Sequence, residues 1–290
     1  MPRLALLLLL GILAGCSTPE PPPRPDTAAL ARPAAEAVDA RVAEAEARLG
    51  QTEAGQRVWA AIEAHGGLTR WYANGPMRFR YAYQRLPGGG AIDTEQLIDP
   101  WSSRARHATM PDSAAQFGWT GTEAWMMPAD AELPTNARFW SLTPYYFVAM
   151  PFVLADPGVN HELAGQMTFE GRTYDLVYIT FDDGTGDAPD DYYYLLLDPE
   201  TNQVGGVRYV VSYPGFYADG ETSAERLMIY DGAQTVDGIT LQEGFRSWPW
   251  TDEGAGDPSA EGTLTELAFL ADTPDSAFDL PDGAIVQEQL

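Results

Sequence analysis

Five carboxylates crowd into ten residues at Asp182-Asp183-Gly184-Thr185-Gly186-Asp187-Ala188-Pro189-Asp190-Asp191. Oxygen ligands on a tightly turning chain are what a Ca2+ loop requires. The spacing does not follow the EF-hand pattern, which alternates acidic positions and closes on Glu. In a chain this acidic, the segment is expected to be a solvated loop, with Asp182, Asp183, Asp187, Asp190 and Asp191 as cation ligands in the alternative reading. The second concentration is aromatic: Phe139, Trp140, Tyr145, Tyr146, Phe147, Met150 and Phe152 fall within one short stretch. Burying one such side chain is worth roughly 1.5–3 kcal/mol, so a continuous set of them is covered by protein, by lipid or by both. Two readings follow. The set fills a concave core, or it forms a ligand-contacting lid over an apolar pocket.

Other reactive groups offer little. His65, His107 and His161 are not paired at metal-ligand intervals. His65 ends a helical pattern, where a histidine is favourable with the helix dipole. There is no Gly-x-Ser-x-Gly elbow, no His-Glu-x-x-His and no glycine-rich phosphate loop between a strand and a helix. No cofactor and no catalytic residue is expected. Carboxylate pairs for glycoside hydrolysis are recognised by their separation in space, which leaves a hydrolase as a distant third class of function.

The chain has 290 residues, of which 42 are acidic and 17 basic, and every basic residue is Arg. A formal charge of −25 repels phosphate backbones and argues against a nucleic-acid partner. With 45% hydrophobic residues and 8 Trp, 14 Tyr and 11 Phe, the chain is too apolar to be a disordered acidic polymer. One large β domain and two smaller domains both fit the length. The single Cys excludes an internal disulfide framework and a multi-cysteine metal site.

That Cys has an informative position. Residues 1–15 read as a secretory signal, with Arg3 ahead of an apolar run from Leu4 to Leu13. The run is far shorter than the roughly 20 residues needed to cross a bilayer. It leads into Leu13-Ala14-Gly15-Cys16, which resembles the lipobox of bacterial lipoproteins. The resemblance implies cleavage before Cys16 and attachment of diacylglycerol and palmitate there, giving a stable membrane anchor. Ser17 follows, and by the enteric sorting rule a residue other than Asp at that place implies the outer membrane, with the protein facing the periplasm.

Residues 16–33 hold the lipidated Cys and a Pro-rich spacer, which favours extended, solvated backbone. Residues 34–50 are Ala- and Glu-rich, and are expected as a helical stalk or a lightly docked helix. The folded domain spans 51–290. It opens with helical spacing of Val58, Ala61, Ile62 and His65, closed by Gly66-Gly67, and a short second helical turn carries Leu68 and Trp71. Alternation begins at Met77, Phe79, Tyr81 and Tyr83 and returns through Ile92 to Ile98. Further strands are expected near 102–109, 115–119 and 123–127. The aromatic stretch from Ala137 to Ala155 is interrupted by Pro144 and Pro151, which favours two short helical pieces. Strands then resume at Arg172–Phe181, Tyr192–Leu197, Val204–Tyr213, Arg226–Tyr230, Ile239–Phe245 and Thr263–Phe269. About ten or eleven strands joined by short turns imply an antiparallel meander, a curved sheet or a barrel.

Three stretches together resemble a known family: Val58-Trp59-Ala60-Ala61-Ile62-Glu63-Ala64-His65-Gly66-Gly67-Leu68 with Trp71; Tyr145-Tyr146-Phe147 through Met150-Pro151-Phe152 to Asp156-Pro157-Gly158; and Asp190-Asp191-Tyr192 with Asp198-Pro199-Glu200-Thr201. They are similar to uncharacterised bacterial lipoproteins with a LolA/LolB-like domain, the architecture of outer-membrane lipoprotein sorting. The resemblance covers about residues 52–285. It implies a mainly β (α+β) fold: a strongly curved antiparallel sheet forming an incomplete barrel, with an N-terminal helix and a helical insertion on the concave side. In Lol proteins the hollow receives acyl chains, so the implied role is binding of an apolar ligand or a lipidated partner, without enzymatic activity. The alternative is a cell-envelope scaffold with a filled core. An open apolar cavity of roughly 300 Å3 or more separates the two, since a scaffold interior is close-packed.

Overall fold

The computed structural model describes residues 29–133, 135–188 and 190–287. The signal segment, Cys16 and most of the Pro-rich spacer lie outside the described residues. Three helices come first: α1 Ala35–Leu49, α2 Glu53–Ala64 and α3 Leu68–Ala73. The Thr52 hydroxyl caps α2 by accepting from the Gly55 amide at 3.0 Å, satisfying one of the free donors at a helix start. No described helix is long and apolar enough to cross a membrane.

For α1 the sequence left open a stalk or a docked helix, and the contacts describe a docked one. It buries Val38, Ala45 and Leu49 against α2 and α3. Arginines add what its small side chains lack. The Arg41 guanidinium stacks over the rings of Tyr72, at 4.5 Å, and Trp101, at 4.8 Å, and pairs with Asp156 at 2.9 Å. Arg48 donates to the Ala155 carbonyl.

Five strands form a first meander: β1 Met77–Arg85, β2 Ala91–Asp99, β3 Arg104–Thr109, β4 Gln116–Trp119 and β5 Ala124–Met127. The fourth helix, α4 Ala137–Val148, and a 3-10 turn over Phe152–Ala155 intervene. A second meander follows: β6 Val159–Phe169, β7 Arg172–Phe181, β8 Tyr193–Leu197, β9 Val204–Tyr209 and β10 Arg226–Asp231. After the small hairpin β11 Gln234–Val236 and β12 Ile239–Leu241 come β13 Gly244–Thr251, β14 Gly254–Ala255, β15 Ala260–Phe269 and β16 Ile285–Val286. One antiparallel sheet runs in the order β16-β5-β4-β3-β2-β1-β15-β13-β10-β9-β8-β7-β6, with β14 attached to β13. Its edges do not meet, so the barrel is incomplete.

The sequence expectation of ten or eleven strands falls short of the sixteen described, and β6 is the longest strand it misses. That strand lies at the sheet edge, and much of its length is polar and exposed. A strand with no buried face shows no apolar alternation. The prolines also act unequally. Pro144 sits within α4, whereas the helix ends before Pro151 and the chain continues as the 3-10 turn.

The inner face of the sheet carries the main core. Met77, Phe79 and Tyr81 of β1 are buried on it together with the helices. Trp71 of α3 stacks on Phe152 with centroids 4.4 Å apart and planes 4° apart, and meets Phe269 edge-on at 6.0 Å.

The outer face has a second, smaller core of Met167, Tyr174, Leu176, Leu196 and Leu227. The far end of the β6–β7 hairpin covers it. A register shift between Leu163 and Gln166, where Gly165 takes φ +78°, bends the edge strand. Beyond the bend, the Tyr174 ring rests on Gly205 of β9, where a Cβ would lie 2.3 Å from it. Phe169 reaches Trp248 of β13 at 5.0 Å between centroids.

Candidate functional site

On the inner face α4 crosses the hollow of the sheet. It packs on β3, β4 and β5, while its other side borders a cavity of about 320 Å3. Phe139, Leu142, Tyr145, Tyr146 and Phe147 supply the helical wall, Phe181 and Tyr193 the sheet wall, and Val211 of the loop after β9 adds to the lining. The Asn136 side chain fixes the start of α4 by accepting from the Phe139 amide at 3.0 Å. At the rim, Phe139, Tyr213 and Phe216 form an aromatic cluster with centroids 4.9–5.2 Å apart. Phe216 is 50% exposed, an unusual position for so large an apolar side chain.

The seven aromatic-stretch residues divide between cavity and core. Phe139, Tyr145, Tyr146 and Phe147 line the cavity, and the other three do not. Trp140 packs against Tyr83 at 5.5 Å and Tyr81 at 6.4 Å. Phe152 is taken up by Trp71 and by His65, whose ring meets it edge-on at 6.3 Å. Met150 is buried in the main core.

The acidic loop divides in the same way. Asp187 and Asp191 border the cavity, whereas Asp182 turns to accept from the Asn160 amide group at 2.8 Å, and Asp183 and Asp190 are exposed. Among the described residues no three His, Cys, Asp or Glu side chains come together as metal ligands.

The cavity edge carries four charged side chains: Arg138, Asp156, Asp187 and Asp191. Arg138 pairs with Asp187 at 2.8 Å and lies 3.6 Å above the Trp119 ring. Asp156 is paired with Arg41, yet burial still pushes its carboxyl above the ordinary range. Burial also raises Asp191, against the pull of three hydrogen bonds. Its Oδ1 accepts from the Ser212 amide at 2.6 Å and the Ser212 hydroxyl at 2.8 Å, and its Oδ2 accepts from the Tyr193 hydroxyl at 3.1 Å. The Tyr146 hydroxyl is buried with no hydrogen-bond partner among the described residues.

The three histidines are structural and lie apart from the cavity wall. His65 closes α2, but it acts as a neutral bridge, not as a cation on the helix dipole. Its Nδ1 donates to the Thr240 carbonyl at 2.7 Å, and its Nε2 accepts from the Val204 amide at 3.0 Å. Burial lowers its pKa, as it does for His161, whose Nε2 donates to the Leu154 carbonyl at 3.0 Å. His107 stacks on Phe117 at 4.6 Å and donates from Nε2 to the Ser141 carbonyl at 2.9 Å, and burial lowers it to about 4. A second hollow, of about 580 Å3, is more polar, with Asp93, Asp231, Glu243 and Glu261 at its edge. Apolar lining with a few convergent polar groups favours the first cavity as a ligand site.

No protein-family model and no curated protein sequence matches the chain. Solved structures do. A LolA superfamily protein from Nitrosomonas europaea superposes with a TM-score of 0.52 at 11% identity, covering 79% of this chain and 98% of that one. A DUF1329 family protein from Desulfovibrio piger gives a TM-score of 0.51 at 9% identity, over 78% of this chain and 97% of that one. At such identity the likeness is one of fold alone. The chain has a LolA-like fold: a large open antiparallel sheet with helices on its inner face.

Proposed function

We propose that the protein is a membrane-anchored periplasmic lipoprotein that binds an apolar chain, free or carried by a lipidated partner, in the hollow of its half-barrel. It acts as a binding protein and not as an enzyme. The observation that carries this reading is the open apolar cavity of about 320 Å3 between α4 and the sheet. A scaffold with a filled interior would have packed that space. The volume lies at the lower end of the roughly 300–1,000 Å3 of ligand sites, which suits one chain better than several.

The test is lipid extraction from the purified domain followed by mass spectrometry. The wild type is expected to release a stoichiometric apolar ligand. Leu142→Trp, which places an indole in the cavity, is expected to release about tenfold less while keeping the wild-type circular dichroism spectrum. A wild-type domain that is empty and binds no added fatty acid overturns the reading in favour of the scaffold.

The anchor is proposed on the lipobox resemblance at Cys16. Cys16→Ser is expected to abolish labelled-palmitate incorporation and to move the protein from the outer-membrane fraction to the soluble periplasmic one. Retention of both label and membrane partition counts against it.

A further inference from the structure

Charges at the cavity edge are not evenly matched. Arg138 is taken by Asp187 and Arg41 by Asp156, in pairs of 2.8 and 2.9 Å. Among the described residues Asp191 has no arginine within ion-pair distance, and the chain has no Lys to take that place. It is nevertheless held in place, by the Ser212 amide, the Ser212 hydroxyl and the Tyr193 hydroxyl. These three donors pull towards its ionised form, against the burial that raises its pKa.

The apolar walls of the cavity, the rings of Tyr146 and Tyr193 among them, therefore enclose one uncompensated carboxylate.

We propose that the cavity selects an amphiphile whose single apolar chain carries an ammonium head, with Asp191 as its counter-charge. This rests on the reading of the cavity as an apolar-chain site. An ammonium has three donors and no acceptor, which matches a carboxylate. A carboxylate or phosphate head would face Asp191 and Asp156 with only paired arginines nearby. Charge-assisted hydrogen bonds are the stronger kind, so the preference is expected to show as affinity.

The probes are dodecylamine, dodecanoate and dodecanol, titrated into the mature chain carrying Cys16→Ser, at fixed ionic strength, with displacement of a fluorescent fatty probe as the readout. Dodecylamine is expected to bind at least about tenfold more tightly than dodecanoate. Asp191→Asn is expected to bring the two within about threefold while leaving dodecanol unchanged. Asp272→Asn, an exposed carboxylate away from the cavity, controls for the overall negative charge and should leave the ratio intact. Equal affinity for the two charged probes, or a ratio that Asp191→Asn does not move, overturns the head-group inference alone. Binding of none of the three probes overturns the apolar-chain site as well.

Discussion

Replacing Trp71 with Ala lowers the stability of the domain by about 3–5 kcal/mol, the range for truncating a fully buried aromatic. Trp71 is 1% exposed and stacks on Phe152 at 4.4 Å, with Tyr145 nearly parallel at 6.4 Å and Phe269 edge-on. Its loss removes the transfer free energy of an indole and leaves a void that three rigid neighbours cannot collapse to fill. In a domain of this size each kcal/mol moves the melting temperature by about 2–4 °C, so the expected fall is on the order of 10 °C or more. Phe152 begins the turn that leads to Asp156, so loosening this stack also loosens one edge of the cavity. Urea unfolding monitored by circular dichroism gives the number. A loss below about 1 kcal/mol would mean that the stack contributes little, and that the core is held elsewhere.

The second large effect depends on pH. His107 is 1% exposed and titrates at about 4 in the folded protein, against 6.5 in an unfolded chain. Below pH 6.5 the unfolded chain takes up a proton that the folded one refuses. Stability from this residue is therefore complete above pH 6.5 and is lost as pH falls towards 4, by about 3 kcal/mol at the lower end. His65 and His161, also lowered by burial, act in the same direction. Asp156 and Asp191 act in the opposite one: raised by burial, they accept protons in the folded state first and favour it as pH falls towards the ordinary carboxylate range. The whole-protein profile is the sum, so the decisive quantity is a difference. His107→Gln keeps a donor for the Ser141 carbonyl but cannot titrate, and its stability relative to wild type is expected to rise by about 3 kcal/mol between pH 7 and pH 4. Parallel stability curves for the two proteins would rule out His107 as the cause.

Much of the fold can be read directly from residue pattern. The alternation at Met77, Phe79 and Tyr81 marks β1 because that strand has one buried face, and Gly66-Gly67 marks the end of α2 because both residues take positive φ. The strand β6 is invisible to the same reasoning because so little of it is buried. The site is partly legible. An aromatic run had to be covered by something, but nothing in its spacing says that Tyr146 borders a cavity while Trp140, six residues earlier in the chain, turns to Tyr83. Likewise, the five aspartates of the 182–191 loop look alike in sequence, and only long-range placement of Ser212 and Tyr193 separates Asp191 from the rest. The pairing of Arg41 with Asp156 joins residues 115 apart along the chain, which no local pattern encodes.

The folded-over end of the β6–β7 hairpin gives the two walls of the cavity unequal stiffness. Strands β7 to β10 carry packed side chains on both faces, with Tyr174, Leu196 and Leu227 behind and Val177, Leu195 and Val207 in front. A sheet braced from both sides resists flexing, because close-packed interiors have low compressibility. Compliance is left to the opposite wall, where α4 and the 210–225 loop with its half-exposed Phe216 meet at the rim. The half-barrel thus works less like a closing hand than like an anvil with one yielding jaw. Ligands of different girth would be accommodated by displacement of α4 and the rim, while the sheet holds the position of Tyr193 fixed.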